Sequence, residues 1–453
     1  MTLATTIKGR VEDEPPSKRP FSEVEDEPPS TSPARKAGNE NHSNIGNAKA
    51  RFFGDIPPES WNDWQWHFRN RITTVDKLSQ FITLSSKEQA WLNLVTSRYP
   101  LSITPYYLSL INPDDPDDPI RKEAVPSFQE ITCAGSGVED PLEEKRDSVV
   151  PGLVQRYPDR VLMVLTDICP VLCRHCTRKR EWHNGGWVRG QADIKQMLNY
   201  IRRNKNVRDV IISGGDPLTL STRRLEAVLS ALRRIEHVEI IRIGTRFPVV
   251  LPQRIDDELC DMLSKYGPIW LNTHFNHPNE ITADSARAVD RLLRAGVPVN
   301  NQSVLLRGVN DTVETQLKLC QGLLKIKVRP YYLFQCDEVR GTEHFHTPVE
   351  TGLHIIEGMR GHTSGLAIPA YVIDLPGGGG KVPLQPNYVL SQTEKGLILR
   401  NYQGRFFYYR NPKEPGSNGS CHDVVEIESL VADVKAERQP QTEDDENRAV
   451  VRS

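Results

Sequence analysis

Hydrophobic and polar positions change their spacing along the chain, and the change predicts alternating strands and helices between residues 160 and 376. Short runs rich in β-branched residues predict strands, and longer runs with apolar residues every three or four positions predict amphipathic helices. The predicted helices include 192–203, 223–235, 256–266 and 284–296. The predicted strands are VLMVLT (161–166), DVIISG (209–214), EIIRIG (239–244), IWLNTHF (269–275), VNNQSVLL (299–306), PYYLFQ (330–335) and AYVIDL (370–375).

This alternation repeats about every 30 residues, which is the length of a βα unit on a parallel sheet. Six or more consecutive units without a glycine-rich dinucleotide turn favour a barrel or partial barrel over a Rossmann sheet. The predicted fold class is therefore α/β, with the functional residues at the carboxyl ends of the strands.

Composition divides the rest of the chain. Residues 1–50 and 436–453 are rich in Pro, Ser and charge, which predicts disordered tails, and the segment VEDEPPS occurs twice in the first of them. Residues 51–150 predict a mostly helical N-terminal region, although the Asp- and Pro-rich segment 111–126 is expected to be irregular. The barrel core is placed at 151–376 and a C-terminal extension at 377–435.

Charge and hydropathy exclude several functional classes. The chain has 57 Lys and Arg against 59 Asp and Glu, which gives no electrostatic reason to expect nucleic acid or a membrane surface as partner. It has no run of about 18 apolar residues and no signal-peptide pattern at its N-terminus. The cytoplasm is the expected location, with mitochondria left open.

Three cysteines share the segment that follows the first predicted strand: Cys169, Cys173 and Cys176. A structural zinc site takes four ligands, commonly from two separated cysteine pairs, and no second pair exists in this sequence. Three thiolates on one loop suit a 4Fe–4S cluster that keeps one iron open for another ligand. The spacing favours iron–sulfur, and zinc is the alternative.

Polar and glycine-rich segments are expected to place side chains at the ends of other strands, at SGGDPL (213–218), GTR (244–246), THFNH (273–277) and NQS (301–303). The last strand is followed by PGGGGKVP (376–383). A Walker phosphate loop is excluded because Leu375 and Val382 occupy positions that need Gly and Ser or Thr. Lys381 could instead form a Schiff base with an aldehyde cofactor, or be a solvated lysine in a flexible loop.

Longer segments carry a family resemblance. YPDRVLMVLTDICPVLCRHCTRKR, QCDEVRGTEHFHTPV, EGMRGHTSGLAIPAYVIDLPGGGGKVPLQPNYV and SQTEKGLILRNYQG together resemble the lysine 2,3-aminomutase family of the radical S-adenosylmethionine (SAM) superfamily. The resemblance runs from about Trp61 to about Gly404 and implies a partial (β/α)6 TIM-like barrel with three cofactors. These are a 4Fe–4S cluster, SAM and pyridoxal 5′-phosphate (PLP).

The resemblance also implies roles for individual residues. Lys381 would form the Schiff base with PLP. The other implied roles are cluster ligation by Cys169, Cys173 and Cys176, SAM contacts by Gly214, Gly215, His274 and Gln302, and PLP-phosphate contacts by Arg156, Tyr157 and Arg160.

The reaction implied is exchange of an amino group between C2 and C3 of a PLP-bound amino acid, started by a 5′-deoxyadenosyl radical. Arg178 would bind the substrate α-carboxylate, and Asp337 and Asp374 would bind a side-chain ammonium. Two carboxylates select for an ammonium and against a substrate carboxylate, so L-lysine is the expected substrate. Another amino acid, or a lysyl group attached to a protein, is the alternative. An inert barrel acting as an interaction protein is the hypothesis from a different class, and the presence of all three cysteines and Lys381 disfavours it.

The chain departs from the bacterial members of this family at their intersubunit zinc site. Thr312 stands where they have a cysteine, and the C-terminal part offers only Cys421. The bacterial-type zinc site is therefore expected to be absent, while a homo-oligomer remains expected. A one-electron donor is the other expected partner.

Overall fold

The computed structural model describes residues 52–412, apart from 134, 136 and 184. The predicted tails and Cys421 lie outside the described residues. The helices are α1 Pro58–Asn62, α2 Trp64–Arg69, α3 Val75–Leu78, α4 Ser86–Arg98, α5 Pro105–Leu108, α6 Pro119–Ala124, α7 Gln129–Thr132, α8 Gln191–Arg203, α9 Thr222–Arg233, α10 Phe247–Val250, α11 Asp257–Ser264, α12 Ala283–Arg294, α13 Val313–Lys325 and α14 Val349–Met359.

A ten-stranded sheet forms the centre of the fold, and its strands lie in chain order from β1 to β10. Strands β3 to β9 pair in parallel, while β1, β2 and β10 add antiparallel edges. All seven strands predicted from the sequence are present within two residues at each end. The bounds are β1 Ser148–Val150, β2 Leu153–Tyr157, β3 Arg160–Val164, β4 Asp209–Ser213, β5 Ile240–Gly244, β6 Ile269–Thr273, β7 Val299–Leu305, β8 Arg329–Gln335, β9 Ala370–Leu375 and β10 Gly380–Leu384.

Six βα units precede β9, which confirms the α/β partial-barrel fold. The two faces of β4 show how the sequence builds it, since alternate side chains of a strand point to opposite faces. Val210 and Ile212 are fully buried, whereas Ile211 and Ser213 line the cavity described below. Among the described residues, no helix is long and apolar enough to cross a membrane.

The Asp- and Pro-rich segment 111–126, expected to be irregular, contains helix α6. Asp118 caps this helix by accepting a hydrogen bond of 2.8 Å from the backbone N–H of Arg121, and Pro119 occupies the first turn. Proline is tolerated there because the first N–H groups of a helix have no intrahelical acceptor. The prediction was wrong because it treated this proline as a breaker rather than as a helix start.

The glycine run before Lys381 forms the turn of a β9–β10 hairpin. Gly377, Gly378 and Gly380 have φ values of +65°, +72° and +87°, in the left-handed region that side chains disfavour. The hairpin register places Lys381 directly opposite Asp374. Beyond it, β11 Val389–Gln392, β12 Gly396–Arg400 and β13 Phe406–Arg410 form a small antiparallel sheet.

Candidate functional site

A cavity of about 610 Å³ inside the barrel brings most of the predicted site residues together. Asp337 and Asp374 are not among its lining residues, although both lie close to Lys381, which is. The predicted residues that line it are Arg156, Tyr157, Arg160, Cys169, Cys173, Cys176, Arg178, Gly214, Gly215, His274, Gln302 and Lys381.

The segment after β3, which we call the cysteine loop (residues 166–178), is fixed by the N-terminal region. The guanidinium of Arg71 donates to the carbonyl of Cys169 at 2.9 Å. The backbone N–H of Arg174 donates to the carbonyl of Glu123 at 2.8 Å, and that of Leu172 to the carbonyl of Ser102 at 3.0 Å. The helical N-terminal region is therefore part of the site's scaffold.

Hydrogen-bond donors point at two of the three sulfurs. Arg246 Nη1 lies 2.8 Å from Cys173 Sγ, and the backbone N–H of Arg178 lies 3.3 Å from Cys176 Sγ. Burial raises the pKa of all three thiols, so each needs a positive partner to ionise. In the described residues, no three His, Cys, Asp or Glu side chains are grouped so that they could hold a single metal ion. The thiols thus share one cavity without forming a ready-made single-ion site.

The SGGDPL glycines join the end of β4 to the cysteine loop. A Cβ on Gly214, whose φ is +151°, would lie 2.3 Å from the carbonyl oxygen of Thr166. A Cβ on Gly215 would lie 2.5 Å from the carbonyl oxygen of Ile168. The backbone N–H of Gly215 donates to the carbonyl oxygen of Thr166 at 2.5 Å. Close backbone approach therefore requires glycine here, in addition to the SAM contacts predicted from the sequence.

Arg246 sits at the centre of a buried charge network that the sequence did not reveal. Its Nη2 donates to Glu280 Oε1 at 2.8 Å, to the hydroxyl of Tyr107 at 3.1 Å, and to Glu123. Burial, followed by the nearby Glu280, raises the pKa of Glu123 to about 7. The GTR segment marked the arginine, but its acidic partners come from distant segments with no local motif.

His274 directly follows β6, whereas Gln302 lies within β7 and not at its end as expected from the sequence; both line the cavity. The His274 carbonyl accepts from Arg246 Nε at 3.1 Å. Burial, and then the positive charge of Arg246, lowers the pKa of His274 to about 4, so its imidazole is neutral at pH 7. A neutral imidazole can both donate and accept a hydrogen bond.

Arg178, the predicted carboxylate ligand, is held by Glu144. Its Nε and Nη2 reach the Glu144 carboxylate at 2.9 and 2.6 Å, and its Nη1 donates to the Gly214 carbonyl at 2.9 Å. Burial opposes ionisation of Glu144, but Arg178 outweighs it and the pKa of Glu144 falls to about 2. One hydrogen on each Nη atom remains for a further acceptor. Glu144 is a positioning residue that sequence reasoning missed.

Lys381 forms an ion pair with Asp374 across the β9–β10 hairpin. Its Nζ lies 2.9 Å from both carboxylate oxygens, and it also lies 5.1 Å from the centre of the Phe334 ring. Asp337 interacts electrostatically with both Asp374 and Lys381. Burial, and then the charge of Asp374, raises the pKa of Asp337 to about 7. The lysine and both predicted ammonium ligands therefore form one cluster.

The β2–β3 hairpin places the predicted phosphate ligands beside this cluster. The hydroxyl of Tyr157 accepts a 2.9 Å hydrogen bond from the backbone N–H of Lys381. Arg156 pairs with Asp147 at 3.0 Å, and the Arg160 guanidinium lies 4.7 Å from the centre of the Tyr157 ring. Both cations line the cavity on the side of Lys381.

Comparisons with known proteins agree with this arrangement. A family model for the radical SAM superfamily matches residues 163–319, and one for lysine-2,3-aminomutase matches residues 356–448. An L-lysine 2,3-aminomutase of Clostridium subterminale is 52% identical over 82% of this chain and 90% of its own length. An L-lysine 2,3-aminomutase of Acetoanaerobium sticklandii is 53% identical over 80% of this chain and 88% of its own length. A glutamate 2,3-aminomutase of Clostridioides difficile is 46% identical over 77% of this chain and 82% of its own length.

Proposed function

The chain belongs to the lysine 2,3-aminomutase family of radical SAM enzymes, and from that premise we propose that it interconverts L-lysine and β-lysine with PLP held at Lys381. Family membership makes the chain an isomerase of the aminomutase type and implies a 4Fe–4S cluster, SAM and a small amino acid substrate. The observation that carries the proposal is the shared cavity, which joins the cysteine loop to the Lys381 cluster.

The residues of the cysteine loop fit a cluster with one open iron. Cys169, Cys173 and Cys176 would hold it, and all three line the cavity. Arg246 and the Arg178 backbone already direct N–H groups at two of the sulfurs, as a thiolate requires. In such a site the cluster and SAM supply a carbon radical, and PLP supplies a π system through which nitrogen can migrate.

The opposite side of the cavity fits an aldehyde cofactor with a phosphate. Lys381 would hold the cofactor, and Arg156 and Arg160 provide the positive charge that a phosphate needs. The hydrogen bond between Tyr157 and the Lys381 backbone fixes the β9–β10 hairpin against the β2–β3 hairpin, which carries both arginines. The chain therefore orients the cofactor from two sides.

Charge at the Lys381 cluster favours lysine as the substrate. Asp374 already accepts two hydrogen bonds from the ammonium of Lys381, which is the same group as the side-chain ammonium of free lysine. With PLP held at Lys381, that carboxylate would be free to bind the substrate ammonium, and Asp337 would lie beside it. Arg178 retains unused Nη hydrogens for the α-carboxylate. A substrate with an acidic side chain would instead meet two carboxylates, which is unfavourable.

An anaerobic turnover assay tests the proposal. The purified protein is reconstituted with iron and sulfide, then incubated with SAM, PLP, dithionite and either L-lysine or L-glutamate. We expect β-lysine from lysine and no β-glutamate, with products identified by chromatography and mass spectrometry. SAM cleavage without rearranged lysine would contradict the substrate assignment, and turnover of glutamate would favour the activity named for the Clostridioides difficile relative.

A further inference from the structure

A second cavity, of about 470 Å³, lies outside the site described above and shares no lining residue with it. It is enclosed by α4, by α6 and the segments around it, and by two loops that follow barrel strands. Its lining combines aromatic and charged side chains. The charged and polar residues that matter for its chemistry are Glu88, Asp117, Arg121, Lys122, Arg307 and His344.

Arg121 is the strongest indication of a ligand. Arg121 is only 9% exposed, yet its guanidinium forms no ion pair and no hydrogen bond within the described part of the chain. A mostly buried cation is costly without a hydrogen-bonded partner, because it loses hydration and the charge of Glu88 acts on it without direct contact. The side chain lines the cavity, so an anion bound there would supply the missing partner.

The other charges leave the cavity positive. Its two acids make their hydrogen bonds elsewhere: Asp117 pairs with Lys122 at 2.9 Å, and Glu88 accepts from the backbone and hydroxyl of Ser85. Glu88 balances only part of the positive charge, although Arg121 is near enough to help lower the pKa of its carboxyl. Arg307, which is exposed, adds a second guanidinium that forms no hydrogen bond or ion pair with the described residues. Two unpaired arginines from different segments thus face the same space.

His344 provides an independent observation. Both of its ring nitrogens are buried and neither has a hydrogen-bond partner among the described residues. Its ring packs against Phe345, with the centroids 4.1 Å apart, which fixes its orientation at the cavity wall. A neutral imidazole can donate one hydrogen bond to an anion that the arginines attract.

We propose that this second cavity binds a small anionic ligand carrying a carboxylate or a phosphate, with Arg121 and Arg307 as its charged ligands and His344 as a hydrogen-bond donor. The two guanidinium groups can each form paired hydrogen bonds to such an anion, which a chloride ion cannot reproduce. This assignment does not depend on the proposed substrate or cofactors.

Helix α6 connects this cavity to the cysteine loop. Arg121 and Lys122 face the second cavity, whereas the next residue, Glu123, belongs to the charge network of Arg246. Glu123 also accepts the hydrogen bond from the Arg174 backbone through its own carbonyl. The second cavity and the cysteine loop therefore share helix α6 as a wall and a support, respectively.

Isothermal titration calorimetry on the full-length holoprotein tests the proposal. PLP is added first, to occupy the proposed phosphate site at Arg156 and Arg160, and the Arg121 and Arg307 variants then distinguish the second cavity from any other anion site. Inorganic phosphate and succinate are titrated separately at constant ionic strength in chloride, which distinguishes a phosphate from a carboxylate ligand. We expect saturable binding of at least one of them, weakened about tenfold or more by Arg121→Gln and by Arg307→Gln and partly restored in Arg121→Lys.

Arg294→Gln is the matched control, because Arg294 is an exposed arginine that pairs with Asp290 on α12. It should leave anion affinity unchanged. No saturable heat with either anion would overturn the proposal, and so would unchanged affinity in folded Arg121→Gln. If Arg121→Gln fails to fold, the exposed Arg307 decides, since unchanged affinity in Arg307→Gln would equally refute the assignment.

Discussion

Glu130 is the acid whose removal should destabilise the fold most, because two buried cations depend on it. Its carboxylate accepts from Arg174 at 2.9 and 2.6 Å and from Lys179 at 2.8 Å. All three side chains are at most 2% exposed. Glu130→Gln preserves the shape but leaves the two positive charges without a counter-charge. Breaking a buried ion pair from one side costs about 3–5 kcal/mol, and the second cation places the expected loss at the upper end.

Equilibrium urea denaturation at pH 7, followed by tryptophan fluorescence, measures this loss. Glu139→Gln is the control, because the Glu139–Arg340 pair has side chains that are 62% and 44% exposed. An exposed pair contributes about 0–1 kcal/mol, so the control should change the unfolding free energy by no more than that. A loss below about 1 kcal/mol for Glu130→Gln would refute the reasoning.

Glu130→Gln should also change how the unfolding free energy depends on pH. Burial opposes ionisation of Glu130, but Arg174 and Lys179 outweigh it and lower its pKa. A folded-state pKa below the unfolded value contributes stability above the unfolded pKa, and that contribution is lost as pH falls through the folded pKa. Wild type should therefore lose stability on acidification below about pH 4.3, the ordinary pKa of glutamate. Glu130→Gln should lose correspondingly less over the same range.

Three further predictions concern the main cavity. Cys173→Ala should abolish iron and sulfide incorporation on reconstitution, whereas Cys320→Ala, which removes a buried thiol on α13 outside the cavity, should retain it. Equal incorporation in both variants would contradict the cluster assignment. Lysine affinity should rise as pH increases through about 7, because burial and Asp374 raise the pKa of Asp337 to about 7 and the substrate ammonium binds the ionised carboxylate. Asp337→Asn should weaken lysine binding and flatten this pH dependence. An unchanged pH profile in the variant would remove Asp337 from the substrate site. Gly214→Ala should destabilise the fold by about 1–3 kcal/mol, measured by urea denaturation, because the alanine Cβ would clash with the Thr166 carbonyl oxygen. Wild-type stability in this variant would show that the close backbone contact between residues 214 and 166 is not needed.

The barrel could be predicted from sequence because its signals are local. Each strand of the parallel sheet is a short apolar run, and each helix between two strands has apolar residues at every third or fourth position. Both patterns can be recognised without knowledge of distant contacts. The cysteine spacing is local in the same sense. The antiparallel edge strands were not predicted: β2 has only two apolar residues before Gln155 and Arg156, and β10 follows a glycine run that suggests a loop.

The charge networks could not be predicted, because their members are far apart in sequence. Glu123 and Arg246 are separated by 123 positions, and Glu144 and Arg178 by 34. Nothing near Glu123 or Glu144 distinguishes them from the many exposed acids of the N-terminal region. Their roles become visible only when α6 and the segment before β1 pack against the cysteine loop.

The central claim is that the cysteine loop and the Lys381 cluster serve one substrate in one cavity. The measurement that tests it most directly is isotope transfer under anaerobic turnover with SAM, PLP and L-lysine carrying deuterium at C3. If SAM and lysine react in the same cavity, deuterium should appear in the 5′-deoxyadenosyl group of SAM recovered from the reaction. Formation of β-lysine with all deuterium retained in lysine and product would contradict the claim.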